Sequence, residues 1–422
     1  MSESTSVGTV PVSELVERFG TPLYVYDGAR ITEQFRGLRD RLHPAVEMFY
    51  SLKANPNVSI CALLHSLGAR AEVSSLTELV TAQRAGVPAE QIMFLGPGKS
   101  HYEIAACLKE EITLICESFG ELALIDELAE GLATTARVVL RVNPSFAVKG
   151  SGLTMGGKPR QFGIDEAALL AADDLATRHR HVRLVGFQAY MGTRFLDEDM
   201  IAANTERILE LAERLGAHLG VPLEVVDVGG GLGVAYFPGE RDLDVAALAD
   251  RLNPIFTRFH DRYPATRLVM ELGRYLVGHS GTYAVQVRYV KESMGERFAV
   301  ADGGTNHHMA AVGIGSFVKR NFPMRLLNRD SAAEGVKWNV TGPLCTPNDT
   351  IGKAVELPAD LAPGDVVGVE RSGAYGPTAS PVHFLSHGYP AEVLVHDGEA
   401  RLIRTRDDVE SMLAAQILHD FH

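Results

Sequence analysis

The sequence predicts an α/β protein in which a (β/α)8 TIM-like barrel is followed by a mostly antiparallel β-domain. Three observations support this prediction. The chain has 422 residues, enough for two or three domains. Residues 45–280 contain eight short apolar runs that are separated by segments with helical potential. After residue 280 polar and apolar side chains alternate, which is typical of strands with one exposed face.

The eight apolar runs predict barrel strands because they are continuous, as expected for parallel strands that are buried on both faces. They are Ala45–Leu52, Arg70–Val73, Ile92–Leu95, Thr113–Ile115, Arg137–Val142, Leu184–Phe187, Leu223–Val226 and Arg267–Met270. Eight strand–helix units in about 240 residues fit a closed barrel. A doubly wound open sheet shows the same alternation, so the count alone leaves both arrangements open.

Two of the connecting segments show helical spacing, although Gln83 interrupts the apolar stripe of the first. One has apolar residues on a single face over Leu76–Val80 and ends near Gly86. The other, Ile208–Leu215, ends at Gly216. Both segments therefore predict helices that pack an apolar face against the strands.

The pattern that begins after residue 280 predicts the second domain. Thr282–Val290 alternates, and short apolar runs flank the hairpin turn signal Asp397-Gly398. Helical spacing returns over Asp408–Leu418. Leu23–Tyr26 predicts a strand ahead of the barrel. We therefore expect residues 1–34 to contribute to the β-domain of residues 281–422, with the barrel in residues 35–280.

The composition excludes several classes of protein. With 40 Lys+Arg against 53 Asp+Glu, the net charge of −13 argues against nucleic acid or an anionic membrane as the main partner. No apolar run approaches the ~20 residues of a membrane span. The first residues lack the basic and apolar regions of a signal peptide, so a cytoplasmic location is expected. The four scattered cysteines predict no disulfide framework.

Candidate reacting groups are sought at the C-terminal ends of the strands, where barrel enzymes place them. Lys53 directly follows the first apolar strand. An amine at a barrel mouth is partly desolvated, which makes it a plausible nucleophile. Its position alone leaves a solvated loop lysine equally open.

A glycine run follows the seventh strand and is a candidate phosphate site. In Asp227–Gly233, the backbone N–H groups of Gly229 to Gly231 could approach an anion closely, although a flexible turn is the alternative. The run is not a dinucleotide fingerprint, because Val234 stands where the third glycine is needed. Gly96–Ser100 is not a P-loop, because Met93 occupies the position of the earlier glycine.

Glu271 closes the eighth strand, beside the candidate phosphate loop. A carboxylate there would repel a phosphate, but it suits a basic atom elsewhere in the same ligand; a surface ion pair with Arg274 is the alternative. An amine, a phosphate loop and a carboxylate for a ring nitrogen together meet the requirements of pyridoxal phosphate.

Six motifs occur in the order found in one enzyme family, and they span nearly the whole chain. They are Tyr50–Asn55, Arg141–Pro144, Asp227–Gly231, Glu271–Arg274, Gly342–Cys345 and Gly373–Tyr375. The sequence resembles the fold-type III pyridoxal phosphate decarboxylases, the group of the diaminopimelate and ornithine decarboxylases. The resemblance implies a lyase with pyridoxal 5'-phosphate as cofactor and a homodimer with shared active sites. No metal is expected, because no metal-ligand spacing such as His-Glu-x-x-His accompanies the histidines.

The resemblance also implies roles for individual residues. Lys53 would hold the cofactor as a Schiff base, and Cys345 from the partner chain would protonate the carbanion formed, through a quinonoid, when carbon dioxide departs. Further cofactor contacts would come from Tyr190, Thr193, Gly229, Gly230, Gly231, Glu271, Gly273, Arg274 and Tyr375. Substrate contacts are expected from Arg274, Thr346, His307 and Tyr375. A solvated loop pair is the alternative for His307 and its neighbour His308.

The sequence departs from the family pattern at the cofactor ring. The family has a His-x-Gly-Ser motif whose histidine stacks on the ring, and this chain has Tyr190-Met191-Gly192-Thr193. Stacking needs an aromatic plane, so Tyr190 is expected to supply it. Leu272 replaces the proline of the Glu-Pro-Gly-Arg motif.

The departures at the substrate positions are larger. The diamino-acid enzymes have an acidic residue after the motif cysteine, and here it is Thr346. A neutral hydroxyl cannot pair with a buried ammonium, which costs several kcal/mol when unpaired. The Arg-Pro pair that binds the distal carboxylate of diaminopimelate corresponds to Ala310 and Ala311.

These substitutions predict decarboxylation of an L-amino acid that is carrier-bound or amide-linked. The chain looks most similar to biosynthetic-cluster members of the family that act on carrier-tethered glutamyl groups or on citryl-diaminopropionate. Diaminopimelate decarboxylation is one alternative and amino-acid racemisation another. A non-catalytic pyridoxal phosphate carrier and a cofactor-free lyase are less consistent with the β-domain and the motifs.

Overall fold

The computed structural model describes residues 6–147, 153–154, 156–312 and 320–421. Its contacts divide the chain into two units. The barrel unit comprises Thr32–Ala235 and Arg241–Leu276, and the sheet unit comprises Met1–Ile31, Tyr236–Glu240 and Val277–His422. The first five residues of the predicted N-terminal segment, and residues 313–319 and 422 of the predicted β-domain, lie outside the described residues.

The barrel unit contains a closed ring of eight parallel strands. They are Val46–Ser51, Arg70–Val73, Ile92–Phe94, Thr113–Cys116, Ala136–Asn143, Val182–Gln188, Val225–Gly230 and Arg267–Leu272. Each strand pairs with the next along the chain, and the eighth pairs with the first, with Leu272 opposite Tyr50. This closure confirms the barrel and excludes the open sheet, whose edge strands would remain unpaired.

Apolar side chains from the strands fill the centre of the barrel. The buried cluster consists of Phe49, Met93, Leu95, Ile115, Val139, Val185, Val225 and Val269. Their burial explains why the strands are mostly apolar: one face of each strand packs into this centre while the other faces the helices.

Helices connect the barrel strands. The helices of this part of the chain are Gly28–Arg39, Val58–Ser66, Leu76–Arg84, His101–Lys109, Phe119–Gly131, Glu166–Leu170, Leu175–Arg178, Glu198–Leu219, Val245–Arg262 and Arg274–Val277. Short strands also occur at Leu153–Thr154, Ile164–Asp165 and Gly192–Thr193. No helix in the described part of the chain is long and apolar enough to cross a membrane.

The predicted end of one helix is wrong. The helix Glu198–Leu219 continues through Gly216 and ends at Gly220, which has the left-handed φ of +66°. Gly216 serves packing instead, because a Cβ atom there would lie 2.9 Å from the side chain of Leu223. A glycine in a helical pattern therefore marked close packing rather than the end of the helix.

The sheet unit is built on a mixed, mostly antiparallel sheet. Its strands are Ser6–Val7, Val10–Pro11, Leu23–Asp27, Gly281–Ser293, Glu296–Ala301, Met324–Leu326, Gly335–Thr341, Thr350–Pro358, Val366–Val369, Ala391–His396 and Glu399–Arg404. Its α-helices are Val12–Phe19 and Val409–Leu413. Two pairings are parallel: Glu296–Ala301 with Gly335–Thr341, and Leu23–Asp27 with Ala391–His396.

The strand Leu23–Asp27 lies inside this sheet. It pairs antiparallel with Gly281–Ser293 on one side and parallel with Ala391–His396 on the other. Leu23 and Val25 are buried in the apolar cluster of the unit together with Val393. The N-terminal part of the chain thus supplies an interior strand to a sheet formed mainly by the C-terminal part.

The last predicted helix is shorter than the sequence pattern indicates. The structure has a helix over Val409–Leu413, whereas the prediction covered Asp408–Leu418. Ile417 and Leu418 are 81% and 96% exposed, so their apolar side chains make little packing. Short helices need tertiary packing to form, which explains why the helical spacing alone did not extend this one.

Candidate active site

Lys53 lies at the mouth of the barrel next to a buried carboxylate. The first strand ends at Ser51, and Lys53 occupies the following turn between buried Leu52 and Ala54. Its Nζ atom lies 3.1 Å from both carboxylate oxygens of Glu72, at the end of the second strand. Glu72 is 1% exposed, while Lys53 keeps 35% of its side chain accessible. The structure therefore presents an accessible amine whose position is fixed by a buried anion.

Tyr190 follows the sixth strand and faces the same space. Its ring centroid is 5.9 Å from Nζ of Lys53. The ring also packs on the glycine loop, since a Cβ atom on Gly229 would lie 2.9 Å from Tyr190 Cδ2. The structure thus brings the amine, the aromatic ring and the start of the glycine run together.

The glycine run lies against the eighth strand and the segment after the sixth. A Cβ atom on Gly230 would stand 1.6 Å from the carbonyl oxygen of Glu271, and one on Gly231 would stand 2.1 Å from that of Gly192. Gly229 and Gly231 have positive φ angles of +66° and +90°. Backbone with no side chain is therefore required here, both for the conformation and for the close approach.

A cavity adjoins the glycine run. It is lined by Phe195, Ile201, Asn204, Thr205, Val228, Gly229, Gly230, Leu232 and Met270. Asn204 is 7% exposed, and its side-chain oxygen has no hydrogen-bond donor among the described residues. Thr193 is two residues before Phe195 in the sequence and belongs to the two-residue strand Gly192–Thr193, which pairs with Leu153–Thr154.

Three buried polar side chains meet at the ends of strands six, seven and eight. Gln188 is fully buried and donates from Nε2 to Oε1 of Glu271 at 3.0 Å. Asp227 lies on the strand between them and accepts the N–H of Gly229 at 2.8 Å through Oδ1. Its Oδ2 atom is buried and has no donor among the described residues. These contacts give the Glu271 carboxylate a defined orientation.

Burial and like charge determine where this cluster holds a proton. Burial, and then the negative charge of Glu271, hold the pKa of Asp227 well above its usual value. Burial and Glu72 also raise the pKa of Glu271, but the charges of Lys53 and Arg141 oppose that rise. Of the two carboxyl groups, Asp227 is therefore the one that takes up a proton more readily, and Glu271 is the one that more readily stays ionised.

A second polar network supports the opposite side of the barrel mouth. Oε1 of Glu117 accepts hydrogen bonds from Arg141 and from the N–H of Gly96, both at 3.1 Å. Lys99, from the loop that resembled a P-loop, is 1% exposed and contacts Glu121 at 2.6 Å. The hydrogen bond to Glu117 holds Arg141 in the barrel mouth, where its positive charge lowers the pKa of Glu271.

Gly273 and Arg274 follow the eighth strand directly. A Cβ atom on Gly273 would lie 2.9 Å from Cβ of Ala54, so this glycine allows close packing beside the turn that carries Lys53. Arg274 begins the short helix Arg274–Val277 and is half-buried. Both therefore lie in the barrel unit with the other predicted cofactor residues.

The sheet unit contains the remaining predicted site residues. Cys345 is exposed, whereas Cys61, Cys107 and Cys116 are buried. Burial raises the pKa of the Cys61 and Cys107 thiols to about 12 and that of Cys116 further. Tyr375 is half-buried and has a positive φ of +56°. Cys345 is thus the cysteine suited to chemistry.

The expectation for His307 has to be corrected. His307 is 4% exposed, and its ring nitrogens contact the hydroxyl of Tyr283 at 3.1 Å and the carbonyl oxygen of Gly388 at 2.9 Å. His308 is fully buried and contacts Ser372 Oγ at 2.8 Å. Neither the substrate contact nor the solvated loop pair fits these environments. Both histidines have structural roles in the sheet unit.

Sequence reasoning assigned no function to Gln188, Asp227 or Arg141. Each is a polar residue within or at the end of an otherwise apolar barrel strand, and that interruption was the available signal. Among the described residues, no group of three or more histidine, cysteine, aspartate or glutamate side chains is arranged to hold a metal ion.

The residues of the barrel mouth fit pyridoxal phosphate. Lys53 offers an amine for the aldehyde, the oriented Glu271 carboxylate suits the ring nitrogen, and Tyr190 offers an aromatic face. The glycine run has positive φ angles at Gly229 and Gly231 and packs closely against neighbouring backbone, as in loops that bring backbone close to a phosphate. These features are what a phosphorylated pyridine aldehyde requires of a protein.

Comparison with known proteins agrees with this reading. Residues 28–278 match the family described as pyridoxal-dependent decarboxylase, pyridoxal binding domain. The L-glutamyl-[BtrI acyl-carrier protein] decarboxylase of Niallia circulans is 39% identical over 96% of both chains. A diaminopimelate decarboxylase of Helicobacter pylori is 31% identical over 96% of this chain and 97% of its own.

Solved structures agree as well. A diaminopimelate decarboxylase from M. jannaschii, in complex with L-lysine, superposes with a TM-score of 0.87 at 28% identity. That match covers 97% of this chain and 95% of the other.

Proposed function

The chain belongs to the fold-type III pyridoxal-phosphate-dependent decarboxylases, and from that premise we propose that it decarboxylates an L-amino acid held in a carrier-bound or amide-linked form. Membership of the family makes it a carboxy-lyase with pyridoxal phosphate as cofactor. The proposal concerns the substrate, the residues that act on it and the assembly in which they act.

All but one of the residues proposed to bind and orient the cofactor belong to the barrel unit, and the exception is Tyr375 of the sheet unit. When bound, pyridoxal phosphate accepts the electron pair that is released as the carboxyl group leaves. Lys53 would bind the aldehyde, Tyr190, whose ring lies near the Lys53 amine, would cover the cofactor ring, and Glu271, oriented by Gln188, would hold the proton on the ring nitrogen. The phosphate would be bound by Thr193, Gly229 to Gly231, Gly273, Arg274 and Tyr375. Arg274 and Tyr375 also contact the substrate.

Cys345 supplies the proton that replaces the carboxyl group. The bond from Cα to the carboxylate breaks, carbon dioxide leaves, and the thiol proton of Cys345 is transferred to Cα. The thiolate then regains a proton from solvent. Cys345 is exposed in its own chain. This exposure supports an assembly in which two copies share active sites and each cysteine serves the partner's lysine.

The single observation that carries the substrate proposal is the neutral residue after Cys345. Thr346 is half-buried, and its Oγ1 atom accepts the N–H of Asn348 at 3.3 Å. It therefore offers no charge to an ammonium group. Ala311 is fully buried and Ala310 half-buried, and neither can bind a distal carboxylate. A substrate whose far end carries no free charge fits these residues.

The relative from Niallia circulans supports the same substrate class, since its name gives a glutamyl group on an acyl-carrier protein as its substrate. The second candidate is diaminopimelate, which the relatives at 30–32% identity are named for. The absence of acidic and basic residues at Thr346, Ala310 and Ala311 favours the conjugated substrate over it.

A substrate panel tests the proposal. The purified enzyme, loaded with pyridoxal phosphate, is incubated with carrier-tethered L-glutamate, amide-conjugated amino acids, free L-glutamate, meso-diaminopimelate, L-lysine and L-ornithine. Mass spectrometry scores the loss of one carbon dioxide. We expect kcat/KM for a tethered or amide-linked substrate to exceed that for every free amino acid. Turnover of free meso-diaminopimelate at the higher rate would instead establish the second candidate.

Two variants serve as controls for that panel. Lys53→Ala should remove the visible absorption of the bound cofactor and all activity. Cys345→Ala should keep the absorption and lower kcat. Unchanged kcat in Cys345→Ala would contradict the proton-donor role while leaving the substrate assignment intact.

A further inference from the structure

Cys345 stands at the tip of a tight turn in the loop between the strands Gly335–Thr341 and Thr350–Pro358. The N–H of Thr346 donates to the carbonyl oxygen of Leu344 at 2.8 Å, which closes a three-residue turn around Cys345. The N–H of Asp349 donates to the carbonyl oxygen of Thr346 at 3.1 Å and closes a second turn. Two consecutive turns leave the cysteine exposed on a short, defined piece of backbone.

The carboxylate of Asp349 is folded back beneath this turn. Asp349 is 2% exposed. Its Oδ2 atom accepts the N–H of Leu344, the residue before Cys345, at 2.7 Å. Its Oδ1 atom accepts both the N–H of Thr305 at 2.7 Å and the hydroxyl of Thr305 at 3.0 Å. One carboxylate therefore ties the cysteine turn to a separate segment of the sheet unit.

Two glycines make room for the carboxylate. A Cβ atom on Gly304 would lie 2.1 Å from Oδ1 of Asp349, and one on Gly342 would lie 2.5 Å from Oδ2. Any other residue at either position would displace the carboxylate. Gly304 belongs to the segment that supplies Thr305, and Gly342 opens the loop that carries Cys345. The need to accommodate Asp349 thus accounts for a glycine in each segment.

We propose that Asp349 is a positioning residue for the proposed reaction, which holds the Cys345 turn where its thiol can deliver a proton. The proposal rests on the proposed function in taking Cys345 as the proton donor. A buried carboxylate is costly unless donors surround it. Here the donors are the N–H of Leu344, beside the reacting residue, and the N–H and hydroxyl of Thr305. Proton transfer depends steeply on distance, so holding the thiol affects the rate more than the affinity for substrate.

The variant Asp349→Asn tests the role of the carboxylate. An asparagine side chain offers one acceptor oxygen and one amino group, so one of the N–H groups of Leu344 and Thr305 faces a donor. We expect kcat to fall roughly 10- to 100-fold, with KM and the visible absorption of the cofactor unchanged. Asp397→Asn, an exposed turn residue of the same unit, is the matched control and should behave as wild type.

A readout independent of turnover is the reactivity of Cys345. The other three cysteines are buried, so iodoacetamide should modify Cys345 first. We expect its alkylation rate constant to rise severalfold in Asp349→Asn, because the turn loosens and a nearby negative charge is lost. Peptide mass spectrometry follows the modification, and circular dichroism checks the fold.

A milder pair of variants covers the case in which Asp349→Asn does not fold. Thr305→Val removes one hydrogen bond to Asp349 without changing the side-chain shape, and Thr305→Ser keeps the hydroxyl. We expect a lower kcat and faster alkylation in Thr305→Val, with both restored in Thr305→Ser.

A folded Asp349→Asn protein that keeps the wild-type kcat or the wild-type alkylation rate overturns the positioning role, as does a change confined to KM. The variant Cys345→Ala tests the proposed function separately. If Cys345→Ala turns over at the wild-type rate, the proton-donor assignment fails, whatever Asp349→Asn does. If Cys345→Ala is slow and Asp349→Asn is not, the role of Asp349 alone fails.

Discussion

Burial decides the protonation of individual side chains at the barrel mouth. Asp227 and Glu271 are both buried, and burial together with the negative charge of Glu271 raises the pKa of Asp227, which favours its protonated form. A protonated carboxyl and an amide have similar shape and the same neutral charge. We therefore expect Asp227→Asn to retain pyridoxal phosphate and Asp227→Ala to bind it at least about 10-fold more weakly, because alanine leaves the Gly229 N–H unpaired.

Titration of the apoenzyme with pyridoxal phosphate, followed by its visible absorption, measures both affinities. Asp250→Asn, at an exposed position of the barrel unit, is the matched control. Equal and large losses in Asp227→Asn and Asp227→Ala would mean that an ionised Asp227 is needed, contrary to the assignment above.

Thr346 is the residue at which substrate charge is tested most directly. Thr346→Asp introduces a carboxylate after Cys345, where an ammonium group could pair with it. We expect kcat/KM for free L-lysine or L-ornithine to increase by roughly 10-fold while that for the conjugated substrate falls. Thr405→Asp, at an exposed site of the same unit, controls for added charge. No gain with any diamino acid would argue that Thr346 does not face the distal end of the substrate.

The buried histidines make the stability of the sheet unit depend on pH. Burial lowers the pKa of His308 to about 3 and is the largest cause that lowers that of His307 to about 4. At pH values between these lowered pKa values and the unfolded pKa of about 6.5, the unfolded chain therefore binds more protons than the folded chain. The free energy of unfolding should fall as the pH drops through this window, and should be fully retained above it.

The variant His308→Gln tests this dependence. Glutamine can still contact Ser372, but it does not titrate. We expect the loss of unfolding free energy between pH of about 7.5 and about 5 to be smaller than in wild type by roughly 2 kcal/mol. Urea unfolding at the two values measures it, with His419→Gln, at an exposed position, as control. An unchanged loss would show that His308 is not the group responsible.

Among the individual site residues, sequence reasoning identified those whose position along the chain was itself unusual. Lys53 was found because a lysine directly follows an apolar strand, and Glu271 because it lies beside a glycine run. Gln188 and Asp349 were missed because their importance depends on partners 83 and 44 residues away. His307 was assigned wrongly because its motif neighbours say nothing about burial.

Among the secondary-structure elements, glycines have opposite effects according to their backbone conformation. Gly220 ends the helix Glu198–Leu219 with φ of +66°, while Gly37 lies within the helix Gly28–Arg39, and a Cβ atom would meet nothing within 4 Å at either position. Gly37→Ala should stabilise the protein by about 0.5–1 kcal/mol. Gly220→Ala should destabilise it by roughly 1 kcal/mol. Thermal unfolding compares the two, and the same sign for both would contradict the argument.

The strands were predicted well because each contains a short, mostly apolar run that is flanked by breaks in that pattern. All eight barrel strands exist, and most differ from the predicted bounds by one to three residues at an end. The helix ends were harder to predict. Gly216 was taken as a helix end, and the last helix was drawn too long, because packing that involves distant residues decides both.

The proposed sharing of active sites is a property of the whole molecule. If Lys53 and Cys345 of one site come from different subunits, a mixture of Lys53→Ala and Cys345→Ala chains forms dimers with one complete site. We expect about a quarter of the wild-type activity after equal amounts are unfolded and refolded together. Light scattering should give the mass of two chains.

The control for this mixing experiment is Lys53→Ala combined with the double variant Lys53→Ala, Cys345→Ala, which should remain inactive. If the mixture of single variants gains nothing over its components although mixed dimers form, each chain uses its own cysteine.

The overall architecture followed from the sequence because counting strands limits the possible arrangements. The count predicted eight strand–helix units but did not show whether the sheet is closed. Closure depends on pairing between the strands Arg267–Leu272 and Val46–Ser51, which lie far apart in the chain. The β-domain was predicted from alternation, and its two parallel pairings were not.

The interior position of Leu23–Asp27 has a consequence for synthesis on the ribosome. Its neighbours Gly281–Ser293 and Ala391–His396 are translated long after it. At about 5–20 residues per second, the segment waits roughly 20–70 s for its last neighbour. The barrel strands all emerge within that interval. A nascent chain therefore carries an unpaired apolar strand while the barrel strands are being synthesised.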